Sequence, residues 1–277
     1  MSIAAALRFK TGDKVADIDT NATPGFDGSK SDAAPVQAER SERLAHLQEL
    51  LYANNKAADD QRSVLLVLQG MDAAGKGGIV KHVVGAVNPM GVRYTSFGKP
   101  TEEELAHHYL WRIRRALPPA GHIGVFDRSH YEDVLIVRVH NLVPPEVWGA
   151  RYDEINAFER ELVDGGMTLV KVAMFISLDE QKEQLAERLD DPTKHWKYNP
   201  GDIDERLQWP KYQEAYQAML DRTSTDYAPW HVVPSDRRWY SRLAVTELLI
   251  DALEAMDLSW PPADFDIKAE KKRLAKA

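Results

Sequence analysis

The stretch Val64-Leu-Leu-Val-Leu-Gln-Gly-Met-Asp-Ala-Ala-Gly-Lys-Gly-Gly78 decides how the rest of the chain is read. Its first five residues are apolar and mostly branched, the composition of a strand buried on both faces. The run stops at Gly70, and small residues carry the chain to Gly75-Lys76-Gly77-Gly78. Ile79, Val80, Val83, Val84 and Val87 then recur at helical spacing. Strand, glycine loop and helix, with a lysine at the helix entrance, is the layout of a phosphate-binding P-loop. The glycines let successive backbone N–H groups converge on a polyanion, and the helix N-terminus adds partial positive charge. Lys76 is placed to reach bridging phosphate oxygens. The phosphate contacts expected are therefore Gly70, Ala73, Ala74, Gly75, Lys76, Gly77 and Gly78.

Gly77 stands where such loops usually carry Ser or Thr, whose hydroxyl holds Mg²⁺. Another group must then hold the metal, and Asp72 inside the loop is the candidate. A bare carboxylate would repel phosphate unless a divalent cation sits between them. The alternative is an ordinary glycine-rich turn with Asp72 as a turn residue; the agreement of flanking strand, lysine and helix argues against it.

With 277 residues, 44% of them hydrophobic, the chain can bury a large core. Its formal net charge of −8, from 35 basic and 43 acidic side chains, speaks against general nucleic-acid affinity. An acidic protein that handles phosphate must cluster its cations locally. Without cysteine, neither a disulfide framework nor a thiolate zinc site can form. The apolar run Ile3 to Leu7 is far too short for a signal peptide or membrane span, so no membrane role and a cytoplasmic location are expected.

The polar N-terminal stretch, with turn signals at Thr23-Pro24-Gly25, reads as an irregular arm over the core or as a partly disordered segment. A helix from Val36 to about Asn54 follows, with Leu44, Leu47, Leu50 and Leu51 on one stripe. Strands are expected over Val92–Phe97, Gly121–Phe126, Leu169–Leu178 and His231–Asp236, alternating with helices. Thr101 and Glu104 form a capping box for a helix running to about Leu117, which carries Arg112, Arg114 and Arg115. Adjacent His107 and His108 do not share a helix face and make no metal site. This order predicts an α/β fold, a three-layer P-loop kinase-like arrangement with a central five-stranded parallel sheet between helices. The divisions expected are an arm and helix over 1–60, the kinase domain over 61–260 with a lid at about 188–210, and a solvated tail over 261–277.

The third strand delivers Asp127-Arg128-Ser-His-Tyr-Glu-Asp133. An acidic residue there fits the Walker B role of holding Mg²⁺, and Arg128 offers a planar donor fork to phosphate oxygens. A surface salt bridge is the plainer alternative for that pair. Arg188 ends a helix just before Asp191-Pro-Thr-Lys-His-Trp-Lys197, a basic, aromatic segment that suits a mobile lid better than a core.

Gln69-Gly-Met-Asp-Ala-Ala-Gly-Lys-Gly-Gly78, Phe126-Asp-Arg-Ser-His-Tyr-Glu-Asp133 and Arg188 with Lys194-His-Trp-Lys197 together resemble the polyphosphate kinase 2 family, from about Leu44 to Trp260. The resemblance implies a thymidylate kinase-like core with a helical lid. It also implies reversible, Mg²⁺-dependent transfer of a phosphoryl group from inorganic polyphosphate to a nucleotide, with Mn²⁺ as an alternative ion. Carried onto matching positions, Asp72, Lys76, Asp127, Arg128 and Arg188 are the expected catalytic residues, with Asp72 and Asp127 on the metal. Lys81, Lys194 and Lys197 join the phosphate contacts, and Arg112 and Glu132 are candidate nucleotide contacts. Arg93 and Lys99 are further candidates for a groove along the polyanion. The stretch His108–Arg115 with Ser129–Asp133 looks most like the subgroup accepting both AMP and ADP, with ATP as product and guanine nucleotides left open. Homodimers or homotetramers are implied.

Two rivals stay open at this stage. An ATP-dependent nucleoside monophosphate kinase would more typically keep the hydroxyl that Gly77 replaces. A nucleotide-switched binding module would need a base-reading Asn-Lys-x-Asp motif, which does not follow the loop.

Overall fold

The computed structural model describes residues 2–277. A short helix, α1 (Ile3–Leu7), opens the chain, and α2 (Lys30–Ala58) follows, started by a capping box between Ser29 and Asp32. β1 (Ser63–Gly70) leads through the glycine loop into α3 (Lys76–His82), and β2 (Val92–Ser96) into α4 (Glu102–Leu105) and α5 (Leu110–Ala116). β3 (Ile123–Asp127) is followed by α6 (Ile136–Val139) and α7 (Pro145–Asp164), and β4 (Met167–Phe175) by α8 (Leu178–Asp190). Next come α9 (Gly201–Leu207), α10 (Trp209–Thr223), β5 (Trp230–Pro234), α11 (Arg238–Glu254) and the exposed α12 (Ile267–Leu274).

The five strands form one parallel sheet in the order β2-β3-β1-β4-β5. Parallel strands are joined by helices that cover both faces, so every residue of β1 is buried. The pleat sends alternate side chains to opposite cores. Leu66 and Leu68 meet α2, α3 and α11, while Leu65 and Val67 meet α5, α7 and α10. β1 connects to β2 across β3, and β3 connects to β4 across β1, so the connections from these adjacent strands run in opposite directions. The resulting crevice opens at the strand C-terminal ends, where Gly70 and Asp127 lie.

Several boundaries differ from the sequence reading. The arm is not irregular throughout: Ile3, Leu7, Phe9 and Val15 are buried, and Phe9 N–H donates to Trp230 O at 2.9 Å. The expected helix from Thr101 to Leu117 is two helices. The capping box forms as expected, but the ladder stops after Leu105, and His108 Nδ1 accepts from Leu110 N–H at 3.4 Å as α5 restarts. α3 ends at His82, short of Val87; β-branched Val83 and Val84 beside Gly85 tighten the chain into a 3₁₀ turn instead. β4 ends at Phe175 because the Ser177 hydroxyl takes the Glu180 N–H and starts α8. The tail is exposed, as expected of a solvated end, and contains the regular helix α12.

Candidate active site

The glycine loop is built by two left-handed residues, Ala73 (φ 68°) and Gly75 (φ 101°). Alternation of hand turns successive N–H groups towards one point, and those of Ala73, Gly75, Lys76 and Gly77 take no acceptor from the described residues. Gly75 caps α3 without any side-chain hydrogen bond, so the helix N-terminus faces the cleft open. Gly70 is required by packing: a Cβ there would stand 2.8 Å from Met174 O on β4. Lys76 folds over the loop, its Nζ donating to Gly70 O at 2.5 Å and Met71 O at 3.2 Å. An incoming phosphate oxygen therefore competes with two carbonyls for a preoriented ammonium.

Arg128 follows Asp127 at the end of β3 with φ 62°, and its N–H donates to Leu68 O at 3.0 Å. That left-handed turn swings the guanidinium back across the β1 loop, where Nη2 meets Asp72 Oδ1 at 2.6 Å. Burial alone would raise the Asp72 carboxyl, but the charges of Lys76, Arg128 and Arg188 outweigh it and hold it below the ordinary carboxylate value. The Gln181 side chain donates to Asp72 O at 3.0 Å and fixes the loop from α8. The Asp127 carboxylate accepts only a long hydrogen bond, from Tyr94 OH at 3.4 Å, and makes no ion pair with the described residues.

A cleft of about 810 Å³ lies over this loop. It gathers Asp72, Ala73, Gly75, Lys76, Gly77, Gly78, Lys81, Asp127, Arg128, Arg188, Lys194 and Lys197 from the sequence-predicted set. Gly70 and Glu132 instead line a smaller cavity of about 200 Å³ on the other side of Asp72 and Arg128, with Asp202, Glu205, Tyr212 and Tyr216. Four expected residues lie elsewhere. Ala74 is packed into the core beneath the loop, and its N–H is used within the turn, on Met71 O at 3.1 Å. Arg112 is buried beneath a different concavity, donating to Gly98 O at 3.0 Å. Arg93 and Lys99 also lie in that concavity, outside the cleft.

Sequence reading missed Arg238 and Arg242, which add two cations to the cleft wall. They sit one turn apart at the start of α11, directly after β5, so the fold itself carries the first turn of that helix to the same sheet edge. The cleft thus holds Lys76, Lys81, Arg128, Arg188, Lys194, Lys197, Arg238 and Arg242 against the carboxylates of Asp72, Asp127 and Glu187. Such local excess in a chain of net charge −8 marks a polyanion surface. Part of it is self-neutralised: Lys194 Nζ meets Glu187 at 2.5 Å and Asp191 at 3.3 Å. Arg188 is held by Asp202 Oδ2 at 2.9 Å and Lys197 O at 3.4 Å.

Asp72 and Asp127 supply a two-carboxylate donor set, and the described residues contain no cluster of three or more metal-ligating side chains. That set suits Mg²⁺, which binds through one or two carboxylates together with substrate phosphates.

Sheet order, anion-binding loop and opposed carboxylates define a P-loop phosphotransferase. The family model for polyphosphate kinase 2 matches residues 34–261, and the chain belongs to that family. It is 49% identical to an AMP/ADP-polyphosphate phosphotransferase of Meiothermus ruber, over 88% of this chain and 89% of that protein. It is 42% identical to an ADP-polyphosphate phosphotransferase of Rhodopseudomonas palustris, over 79% and 78%. The crystal structure of a polyphosphate kinase 2 from Arthrobacter aurescens superimposes with a TM-score of 0.97 at 50% identity, covering 100% of this chain and 98% of that one. Among the described residues no helix is long and apolar enough to cross a membrane.

Proposed function

We propose that this chain transfers the terminal phosphoryl group of inorganic polyphosphate to ADP and to AMP, reversibly and with Mg²⁺. The observation that carries this reading is the cation-lined cleft over a P-loop that replaces its hydroxyl ligand with Asp72. Membership of the family and similarity to an AMP/ADP-polyphosphate phosphotransferase support the same donor and acceptors.

A terminal phosphate oxygen of the nucleotide attacks the end phosphorus of the donor. The bond to the next bridging oxygen breaks, and its electron pair stays on the shortened polyphosphate. Such transfer needs alignment and charge neutralisation more than covalent help. Lys76, Arg128 and Arg188 neutralise charge on the transferring group, and the open N–H groups of the loop fix its oxygens. Asp72 and Asp127 would hold Mg²⁺, which supplies further neutralisation between donor and acceptor. Asp72 and Arg128 line both cavities, which supports a role for them where the acceptor's attacking oxygen would meet the donor. Glu132, in the smaller cavity, is suited to accept hydrogen bonds from nucleotide hydroxyls. Segment 188–210 acts as the lid.

Protein, Mg²⁺, ADP and polyphosphate mixed without ATP should yield ATP, and AMP in place of ADP should yield ADP followed by ATP. Absence of ATP from ADP, alongside ready phosphorylation of AMP by ATP, would assign the chain to ATP-dependent chemistry. A product trace stopping at ADP would remove AMP-to-ATP conversion alone.

The Arg188 geometry gives a second test. Arg188 is held by Asp202 at 2.9 Å and lines the P-loop cleft, and on this reading it meets the transferring group only when the lid closes. Arg188→Ala should lower kcat by roughly 10²–10³-fold with little change in KM, and Arg188→Lys should recover little. Lys197→Ala should instead raise the KM for polyphosphate, and the change should shrink at high salt. Near-normal turnover of Arg188→Ala with an intact circular dichroism spectrum would make Arg188 a surface charge.

A further inference from the structure

The concavity that contains Arg112 has no assigned part in the chemistry above. Its volume is about 420 Å³, and it is lined by Arg93, Lys99, Arg112 and Arg115 with Glu104 as its one carboxylate. That carboxylate is already committed, accepting the Thr101 N–H at 2.8 Å in its capping box and lying 3.6 Å from Arg112. Arg93, Lys99 and Arg115 form no ion pair with any described residue.

The three arginines are nonetheless held in place. Arg93 Nη2 donates to Arg115 O at 2.7 Å, and the Arg115 guanidinium lies 4.6 Å from the centre of the Trp111 ring. Arg112 lies 5.3 Å from the Phe97 ring centre. Unpaired, preoriented cations around a concavity, in a chain of formal charge −8, point to an anion that supplies the missing charge.

The position of the concavity says which anion. Strand β2 divides two surfaces: Arg93 and Thr95 line this concavity, whereas Tyr94 and Ser96 line the P-loop cleft. Ser96, Phe97 and Gly98, where the strand ends, line both. The two basic surfaces therefore meet over one short saddle. A single small anion would fill only one of them. A polyanion of many phosphates can have its end in the cleft and its body across the saddle.

We propose that the Arg93–Lys99–Arg115 concavity is a second polyphosphate-binding site that engages phosphates remote from the reacting end and sets the preference for long donors. This rests on the polyphosphate reading of the P-loop cleft and adds where the rest of the chain lies. The remote contacts act on affinity, since they change little as the end phosphate transfers.

The test uses Lys99→Ala/Arg115→Ala and the charge reversal Arg115→Glu, both at exposed positions remote from the reacting centre. Binding of long-chain polyphosphate and of tripolyphosphate is measured by calorimetry, beside steady-state kinetics with each donor and with varied ADP. The double variant should bind long-chain polyphosphate about tenfold more weakly, since exposed ionic contacts are each worth up to about fivefold. Tripolyphosphate binding, kcat and the KM for ADP should stay within about twofold, and Arg115→Glu should exceed Arg115→Ala in effect. Unchanged long-chain affinity overturns the proposal, and so does equal weakening of tripolyphosphate. A raised KM for ADP with unchanged polyphosphate affinity gives the concavity to the acceptor and also overturns it. A wild-type protein without phosphoryl transfer from any polyphosphate would fail the donor reading, a result the calorimetry distinguishes from loss of this second site.

Discussion

Asp127→Asn should lower kcat by at least about 10³-fold, ~4 kcal/mol, with little loss of folding stability. The reason lies in what Asp127 does not touch. It ends β3 opposite Leu68 of β1, and its carboxylate has only Tyr94 OH, at 3.4 Å. Asp72 is different, because it is paired with Arg128 at 2.6 Å. A carboxylate left without a protein cation, in a cleft rich in them, is available to a bound metal ion. Asparagine keeps the shape and removes the charge, so the loss should fall on turnover and on the metal concentration needed for it. Steady-state rates over a Mg²⁺ titration, with urea unfolding of both proteins, test this. Near-normal kcat at saturating Mg²⁺ would remove Asp127 from the metal site.

Lys171→Met should destabilise the protein by about 3–5 kcal/mol, because it leaves a buried carboxylate without its counter-charge. Lys171 and Glu159 are both fully buried, with Nζ 2.6 Å from Oε2. Lys171 also donates to Thr223 O at 2.7 Å and Tyr131 OH at 2.9 Å, and Tyr131 OH donates to Glu159 Oε1 at 2.6 Å. The pair thereby ties β4 and α7 to the turn that follows Arg128. Thermal unfolding should shift down on the order of 10 °C. Lys171→Met/Glu159→Leu should be closer to the parent than the single variant, since no charge is then stranded.

The same pair sets a pH dependence. Burial would raise the Glu159 carboxyl, but the charge of Lys171 and the hydrogen bond from His130 outweigh it and hold it below its ordinary 4.5. A carboxyl lowered by folding stabilises fully above its unfolded value, and that contribution is lost as pH falls through the folded value. In Lys171→Met the depressing charge is gone and burial pushes the Glu159 carboxyl up, so protonation removes the stranded charge and the destabilisation should be largest near neutral pH and shrink as pH falls. A single variant as stable as the parent at neutral pH, or one whose deficit does not shrink in acid, would contradict these statements.

This pair also marks a limit of what the sequence displays. The apolar run around Lys171 is a legible buried strand, and a lysine within it implies a buried partner. Which carboxylate answers it depends on how α7 crosses the sheet, and nothing local to Glu159 records that. By contrast, the glycine loop, Asp127 and Arg128 were legible because each lies at a strand end whose position follows from the parallel order. Ala74 was misplaced because spacing alone cannot separate a loop residue facing phosphate from one facing the core. Arg112 lies outside the P-loop cleft, on the separate helix α5 that begins after the expected helix has broken at Ala106. Arg238 and Arg242 lie more than 160 residues after Gly75 of the loop they border, and only the sheet order brings them there.

The N-terminal arm has a consequence for how copies of this chain behave together. A sheet with open edges offers rows of unpaired N–H and C=O groups to any neighbouring chain. At the β5 edge the arm occupies that position itself, through an antiparallel bridge between Arg8 and His231 and the Phe9–Trp230 hydrogen bond. The opposite edge, β2, is only five residues long and carries exposed Arg93, so charge and brevity discourage pairing there. Trimming the first nine residues would therefore uncover the β5 backbone and leave that side of the sheet prone to intermolecular strand pairing and aggregation.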